Sequence, residues 1–412
     1  MSEEPQSLVS RRSFMRIAGS AAALPVLAAS PLAAAPNRPR RVDPASMGPH
    51  TPTAPGAIIL SSNENPLGPS AAAIGAMAIA AHQGGRYHNE SKAQVIAAFN
   101  PTFGLKPGYV SLWAGSTPAL DLALRWNVGP DKPMVVGSPT YGQGPQAAES
   151  MKAPVLRIPL TAHGAHDVRR MAAASRSAGA YYLVNPNNPT GTVTPREDIL
   201  WLLEHKAPGS VVIVDEAYHH FSNEESVIDQ VAADKDLIVT RTFSKIYGMA
   251  GLRAGFYIAK PDLQDAIMGL GPAATPAWVG ALEVSLATAR ACIASIEDKG
   301  LIPLRRKINA DIRDATLEWL DKHGYKYYPG SQTNFFMVHV ERPGREFAAL
   351  MRQQNVYIGR TWPEMPRYVR VTVGTAEEMK KFQEAFVRAY DAKGSTVGLD
   401  LRYEAPSEIR YG

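Results

Sequence analysis

Four short segments of this 412-residue chain carry side chains suited to chemistry, each inside or just past an apolar run. Tyr181-Tyr182-Leu183-Val184-Asn185-Pro186-Asn187-Asn188-Pro189-Thr190-Gly191 passes from an apolar stretch into a Pro/Asn/Gly turn. Val211-Val212-Ile213-Val214-Asp215-Glu216-Ala217-Tyr218 sets a carboxylate at the end of a continuous apolar stretch. Thr242-Phe243-Ser244-Lys245 is followed, eight residues past the lysine, by Arg253. Tyr368-Val369-Arg370-Val371-Thr372 holds one arginine among strand formers. A lysine in a site without sulfur or metal ligands suggests amine chemistry, such as a Schiff base with a carbonyl. A buried aspartate suits a fixed positive charge, for example a protonated ring nitrogen. Hydroxyls beside Arg253 suit a phosphate.

These side chains need elements to hold them. From Ala57 onward short apolar runs alternate with helix-like segments, the α/β pattern. Strands are expected at Val155–Ile158, Ala180–Val184, Val211–Val214, Leu237–Thr240 and Gly255–Ala259, with a helix over Arg196–His205 after Thr194-Pro195. A long helix over Pro276–Asp298 leads to a second section. It holds a helix at Pro303–His323, strands at Phe335–His339 and Tyr368–Val373, and a last helix at Glu377–Ala392. In open α/β sheets ligands collect at the carboxyl ends of the strands, where the first three segments fall. A phosphorylated pyridine aldehyde meets all three chemical demands, and pyridoxal phosphate is that molecule.

Composition is that of a globular chain, 45% hydrophobic and 20% charged. The single Cys292 excludes an internal disulfide framework and a cysteine-built metal site, and the histidines show no metal-ligand spacing. The formal charge is +5, but residues 1–41 hold six Arg and two Glu, leaving +1 for the rest. That distribution excludes a general nucleic-acid footprint. Ser10-Arg11-Arg12-Ser13-Phe14-Met15-Arg16 resembles a twin-arginine export signal, and a modestly apolar, Ala-rich stretch from Ile17 to Ala35 follows it. Pro25 and Pro31 interrupt that stretch, so a signal fits better than a membrane span.

The four segments, in this order and spacing, resemble fold-type I pyridoxal-phosphate enzymes, most closely the histidinol-phosphate aminotransferase branch of the class I/II aminotransferases. Matching motifs run from Ser61-Ser62-Asn63-Glu64-Asn65-Pro66-Leu67-Gly68-Pro69 to Val369-Arg370-Val371-Thr372-Val373-Gly374-Thr375, about three quarters of the chain. The resemblance implies an aspartate-aminotransferase-like three-layer α/β domain with a mainly parallel sheet, plus a smaller α+β C-terminal domain. It implies that Lys245 forms the Schiff base and moves a proton between the substrate Cα and the cofactor. Asp215 would pair with the ring nitrogen, Asn188 and Tyr218 would hydrogen-bond the ring 3-oxygen, and Tyr141 would stack on the ring. Backbone N–H groups at Ser116 and Thr117, with Thr242, Ser244 and Arg253, would hold the phosphate. Tyr87 would reach the phosphate of a neighbouring subunit, which implies a homodimer with shared sites. Arg370 would grip the substrate α-carboxylate, with Arg360 and Asn65 as further substrate contacts.

The implied reaction moves an amino group between an L-amino acid, or a related amine, and a 2-oxo acid. A decarboxylase or a C–S/β-lyase on the same scaffold would use the same lysine, aspartate and arginine, and an exported non-catalytic protein could keep the fold. Ser116-Thr117-Pro118 stands where the biosynthetic branch usually has an acidic pair, and His88-Asn89 where it usually has Pro-Asp. Thr361-Trp362-Pro363-Glu364 also departs from the usual surroundings of Arg360, for which a surface salt bridge is an equal account. Histidine biosynthesis is cytosolic, so an export signal argues against that substrate. The expected division is a signal over 1–36, a linker over 37–56, an arm over 57–84 packing on the small domain, a large domain over 85–290, a small domain over 291–394 and a tail over 395–412. The expected location is the periplasm, reached folded through the twin-arginine machinery, with the protein membrane-anchored if the signal is not cleaved.

Overall fold

The central apolar runs form strands because both of their faces find cover. The computed structural model describes residues 55–88, 90–269 and 284–392. The signal, most of the linker, the start of the helix expected at Pro276, Asn89 and the tail lie outside the described residues. Seven strands make the central sheet: β2 (Val110–Trp113), β3 (Met134–Ser138), β4 (Val155–Pro159), β5 (Ala180–Val184), β6 (Val211–Asp215), β7 (Leu237–Thr242) and β8 (Gly255–Ala259). Their order is β2-β8-β7-β6-β5-β3-β4, all parallel except β8, which runs against both its neighbours. Every residue of β5 to β8 is buried, as expected for strands covered on both sides.

Side chains alternate between two cores. Tyr181, Leu183, Val212, Val214, Leu237 and Val239 point into one, and Tyr182, Val184, Val211, Ile213 and Ile238 into the other. This is the two-residue period of a strand with apolar residues on both faces, which explains why these runs read as continuous rather than alternating.

A third core lies around two small sheets. The strand β9 (Phe335–His339) pairs antiparallel with β11 (Tyr368–Thr372), while β1 (Ile58–Leu60) pairs in parallel with β10 (Val356–Ile358). The helix Leu301–Lys322 begins two residues ahead of the expected Pro303, which sits in the first turn where its missing N–H is not needed. The last helix spans Ala376–Asp391, one residue ahead of expectation, because Thr375 and Glu378 form a reciprocal capping box. Of the long helix expected over Pro276–Asp298, Leu286–Glu297 is helical and packs against the helix Ala71–Ala81. No described helix is long and apolar enough to cross a membrane.

Candidate active site

The parallel register brings β5, β6 and β7 to a common edge, pairing Val184 with Asp215 and Asp215 with Thr240. Asp215 is buried there. Its Oδ1 accepts from Thr240 Oγ1 at 3.0 Å and from the Ala217 amide at 3.1 Å, and its Oδ2 accepts from Tyr182 Oη at 3.4 Å. Burial raises its pKa; those three hydrogen bonds and the Lys245 charge oppose the rise. Among the described residues no cation pairs with it at ion-pair distance, so this carboxylate has hydrogen bonds but lacks a counter-charge. Lys245 lies in the turn after β7, with Nζ 3.3 Å from the Ser62 carbonyl and 5.5 Å from the centre of the Tyr218 ring.

A second set of donors surrounds Arg253. Its Nη1 lies 3.3 Å from Ser244 Oγ and 3.0 Å from the Ala250 carbonyl, and Thr242 Oγ1 donates to Ser244 Oγ at 2.9 Å. Arg253 itself takes a left-handed backbone, φ 51°, the kind of conformation that packing must enforce on a non-glycine residue. Gly115 has φ +91°, and a Cβ on it would come 2.3 Å from Arg253 Nη2, so only glycine lets the β2 turn approach the guanidinium. That turn opens the helix Thr117–Asn127, and Ser116 at its N-cap makes no side-chain capping bond. The serine hydroxyl and the first helical N–H groups are thereby left for an anion.

The third part of the site is Arg370 on β11, buried. Its Nη1 donates to Asn188 Oδ1 and its Nη2 to the Ser61 carbonyl, both at 2.7 Å. Phe335 and Trp362 rings lie 5.6 and 5.4 Å from the guanidinium carbon. Its Nε is buried without a partner, and among the described residues no carboxylate pairs with it. Burial pushes its pKa down, to about 9, and the neighbouring Arg360 charge adds to that. A buried guanidinium in this condition is a site for an anion.

The sequence-derived residues thus gather in one place, with differences of detail. Tyr141 is tethered through Oη to Gln143 at 2.9 Å, whose amide reaches back to the Thr117 carbonyl at 3.2 Å. Tyr87 is 97% exposed, and among the described residues no hydrogen bond or ring contact ties it to the site. Asn65 spends its carboxamide locally, on the Ile246 carbonyl and the Leu67 amide, both at 3.1 Å. It is Asn63 that reaches Tyr218, donating from Nδ2 to Oη at 3.0 Å. Sequence reasoning did not single out Asn63, Tyr182, Thr240 or Trp362. Asn63, Tyr182 and Trp362 stand inside segments that the sequence marks, and Thr240 precedes Thr242 by one strand period, but nothing local marks which way they face. His166 is a core histidine, held neutral by burial that lowers its pKa to about 4.

The residues present fit pyridoxal phosphate. Asp215 lacks the cation that a ring nitrogen would bring. The Gly115 cradle with Arg253 and a helix N-terminus suits a phosphate, and the Lys245 charge acts on Asp215 from the turn after β7.

Residues 55–386 match the family model for aminotransferases of class I and II. The chain is 32% identical over 333 residues to histidinol-phosphate aminotransferase 1 of Nitrosococcus oceani, covering 79% of this chain and 87% of that one. It is 30% identical over 341 residues to an aromatic amino acid aminotransferase of Cutibacterium acnes, covering 81% and 92%. Its fold is similar to that of the histidinol-phosphate aminotransferase of Sinorhizobium meliloti in complex with pyridoxal-5'-phosphate, with TM-score 0.73, 22% identity, and coverage of 81% and 90%.

Proposed function

The chain belongs to the class I and II aminotransferase family and is a pyridoxal-phosphate-dependent aminotransferase, and from that premise we propose how its residues divide the work. When bound, pyridoxal phosphate supplies an aldehyde that condenses with amines and a ring that accepts electrons from the substrate Cα. Lys245 Nζ would be the amine that holds the cofactor and the base that moves a proton at the substrate Cα. Asp215 holds the ring nitrogen in its charged form. Asn188 and Tyr218 contact the 3-oxygen, and Tyr141 covers the ring. Ser116, Thr117, Thr242, Ser244 and Arg253 hold the phosphate. Arg370 orients the substrate through its α-carboxylate, with Arg360 beside it.

One observation carries the amino-acid reading: the carbonyls of the adjacent Ser61 and Ser62 hold Arg370 and Lys245. The carboxylate grip and the reactive amine are thereby set one residue apart along a single strand of chain. The donors in the names of the two relatives differ, so the purified protein is to be given histidinol phosphate and a panel of L-amino acids with 2-oxoglutarate. Glutamate formation supports the reading; carbon dioxide, or pyruvate with ammonia, overturns it in favour of a decarboxylase or lyase, which family membership does not favour.

Two further parts of the proposal concern the whole molecule. A second copy of the chain completes the site, since Tyr87 is extended into solvent where a partner can meet it; a monomer with full activity in sedimentation and assay would refute this. Export through the twin-arginine route is supported by Arg11-Arg12 and the Ala-rich stretch behind them. Changing both arginines to lysine is expected to trap the protein in the cytoplasm, and unchanged fractionation would refute the route.

A further inference from the structure

Asn63 takes part in a hydrogen-bond chain that links Thr372 to Tyr218. Its backbone N–H donates to Thr372 Oγ1 at 2.9 Å. That hydroxyl in turn donates to Asn63 Oδ1, 3.2 Å away. The carboxamide oxygen faces Thr372, and Nδ2 faces Tyr218, to whose Oη it donates at 3.0 Å. Tyr218 then receives a proton on one side, and among the described residues nothing accepts its own. The backbone of Asn63 is left-handed, φ 53°, and its carbonyl is held by Asn334 Nδ2 at 3.1 Å. Asn63 is buried, as are Thr372 and Tyr218, so water does not scramble the order.

We propose that Asn63 and Thr372 are positioning residues that orient the Tyr218 hydroxyl, so that its proton is always presented to the ligand side of the site. Thr372 lies two residues beyond Arg370 on β11 and so projects from the same face of the strand. The chain thus ties the strand that grips the substrate carboxylate to the tyrosine that tunes the cofactor. The proposal rests on the reading of Tyr218 as a contact of the cofactor 3-oxygen. A proton donated to that oxygen draws off its charge, so a neighbouring protonated nitrogen is held less tightly; losing the donor raises the pKa of the cofactor's visible absorption change. The other charged or titratable groups near Tyr218 are Lys245 above its ring, Arg370, and Tyr182 with its partner Asp215, and none of them is altered in the test.

The test is a spectroscopic pH titration of the cofactor-loaded protein, with no turnover involved. Tyr218→Phe is expected to raise the pKa of the visible band by about one unit or more. Asn63→Gly, which tolerates the left-handed backbone, and the near-isosteric Thr372→Val each reproduce part of that rise in an otherwise unchanged protein. Neither adds to it once Tyr218 is phenylalanine. If Tyr218→Phe leaves the band unmoved, the reading of Tyr218 fails and the proposal with it. If Tyr218→Phe shifts the band while Asn63→Gly and Thr372→Val do not, or if they shift it equally in the Tyr218→Phe background, the reading of Tyr218 stands and the relay is overturned.

Discussion

Asp215 and Glu216 are adjacent carboxylates, both nearly out of solvent, with opposite fates. Glu216 Oε2 accepts from Arg241 Nε at 2.6 Å, with each side chain 3% exposed, and Ser226 Oγ donates to both glutamate oxygens. Asp215 has hydrogen bonds from neutral groups and, among the described residues, no cation at ion-pair distance. The arginines repeat the contrast: Arg241 has a carboxylate, and Arg370 has an amide and a carbonyl. A buried charge with its counter-charge built in is carried by the fold at little net cost. One left without it destabilises the empty protein and becomes favourable when a ligand arrives. The chain places both kinds side by side because consecutive residues leaving β6 face opposite sides.

Breaking either half should therefore give different losses. The largest is expected at the reactive amine: Lys245→Ala lowers turnover by at least about 10⁴-fold, with circular dichroism and unfolding midpoint close to the parent. A large loss of stability in that variant would place Lys245 on the structural side. Next comes the paired side. Glu216→Gln leaves Arg241 buried and uncompensated and is expected to cost about 3–5 kcal/mol in chemical denaturation. A paired apolar replacement of both residues should recover most of that.

A core group provides a pH-dependent control. His166 has a folded pKa near 4, below the roughly 6.5 of an unfolded histidine. The unfolded chain therefore binds the extra proton between those values. Stability is full above about pH 6.5 and falls by about 3 kcal/mol as pH drops toward 4. Denaturation curves of His166→Gln should lose this slope; an unchanged slope would assign it to other groups. The smallest stability effect is expected at Arg370. Arg370→Ala should raise the KM for the amino donor about 100-fold while leaving the empty protein as stable as before or more so. A loss of stability comparable with Glu216→Gln would erase the contrast.

Local chemistry made much of this legible. The central strands announced themselves because a parallel sheet covered on both faces needs unbroken apolar runs, as in Val211–Val214. Asp215, Lys245 and Arg253 stood out because each interrupts or follows such a run with a charge. The strands β2 and β3 went unnamed, and β1 with β10 had no local signal at all, since two three-residue segments about 300 positions apart pair only once the fold exists.

Sequence by itself determined the class of chemistry, the order of the strands' active ends and the family to which the chain belongs, because these depend on residue type and spacing. Tertiary structure decided which of two neighbouring carboxylates is paired, and that Asn63 rather than Asn65 reaches Tyr218. It also decided that Ser61 and Ser62 hold both cations through their carbonyls. Those outcomes depend on backbone atoms, which every residue shares, and on side-chain direction at buried contacts, which spacing leaves open until the segments pack.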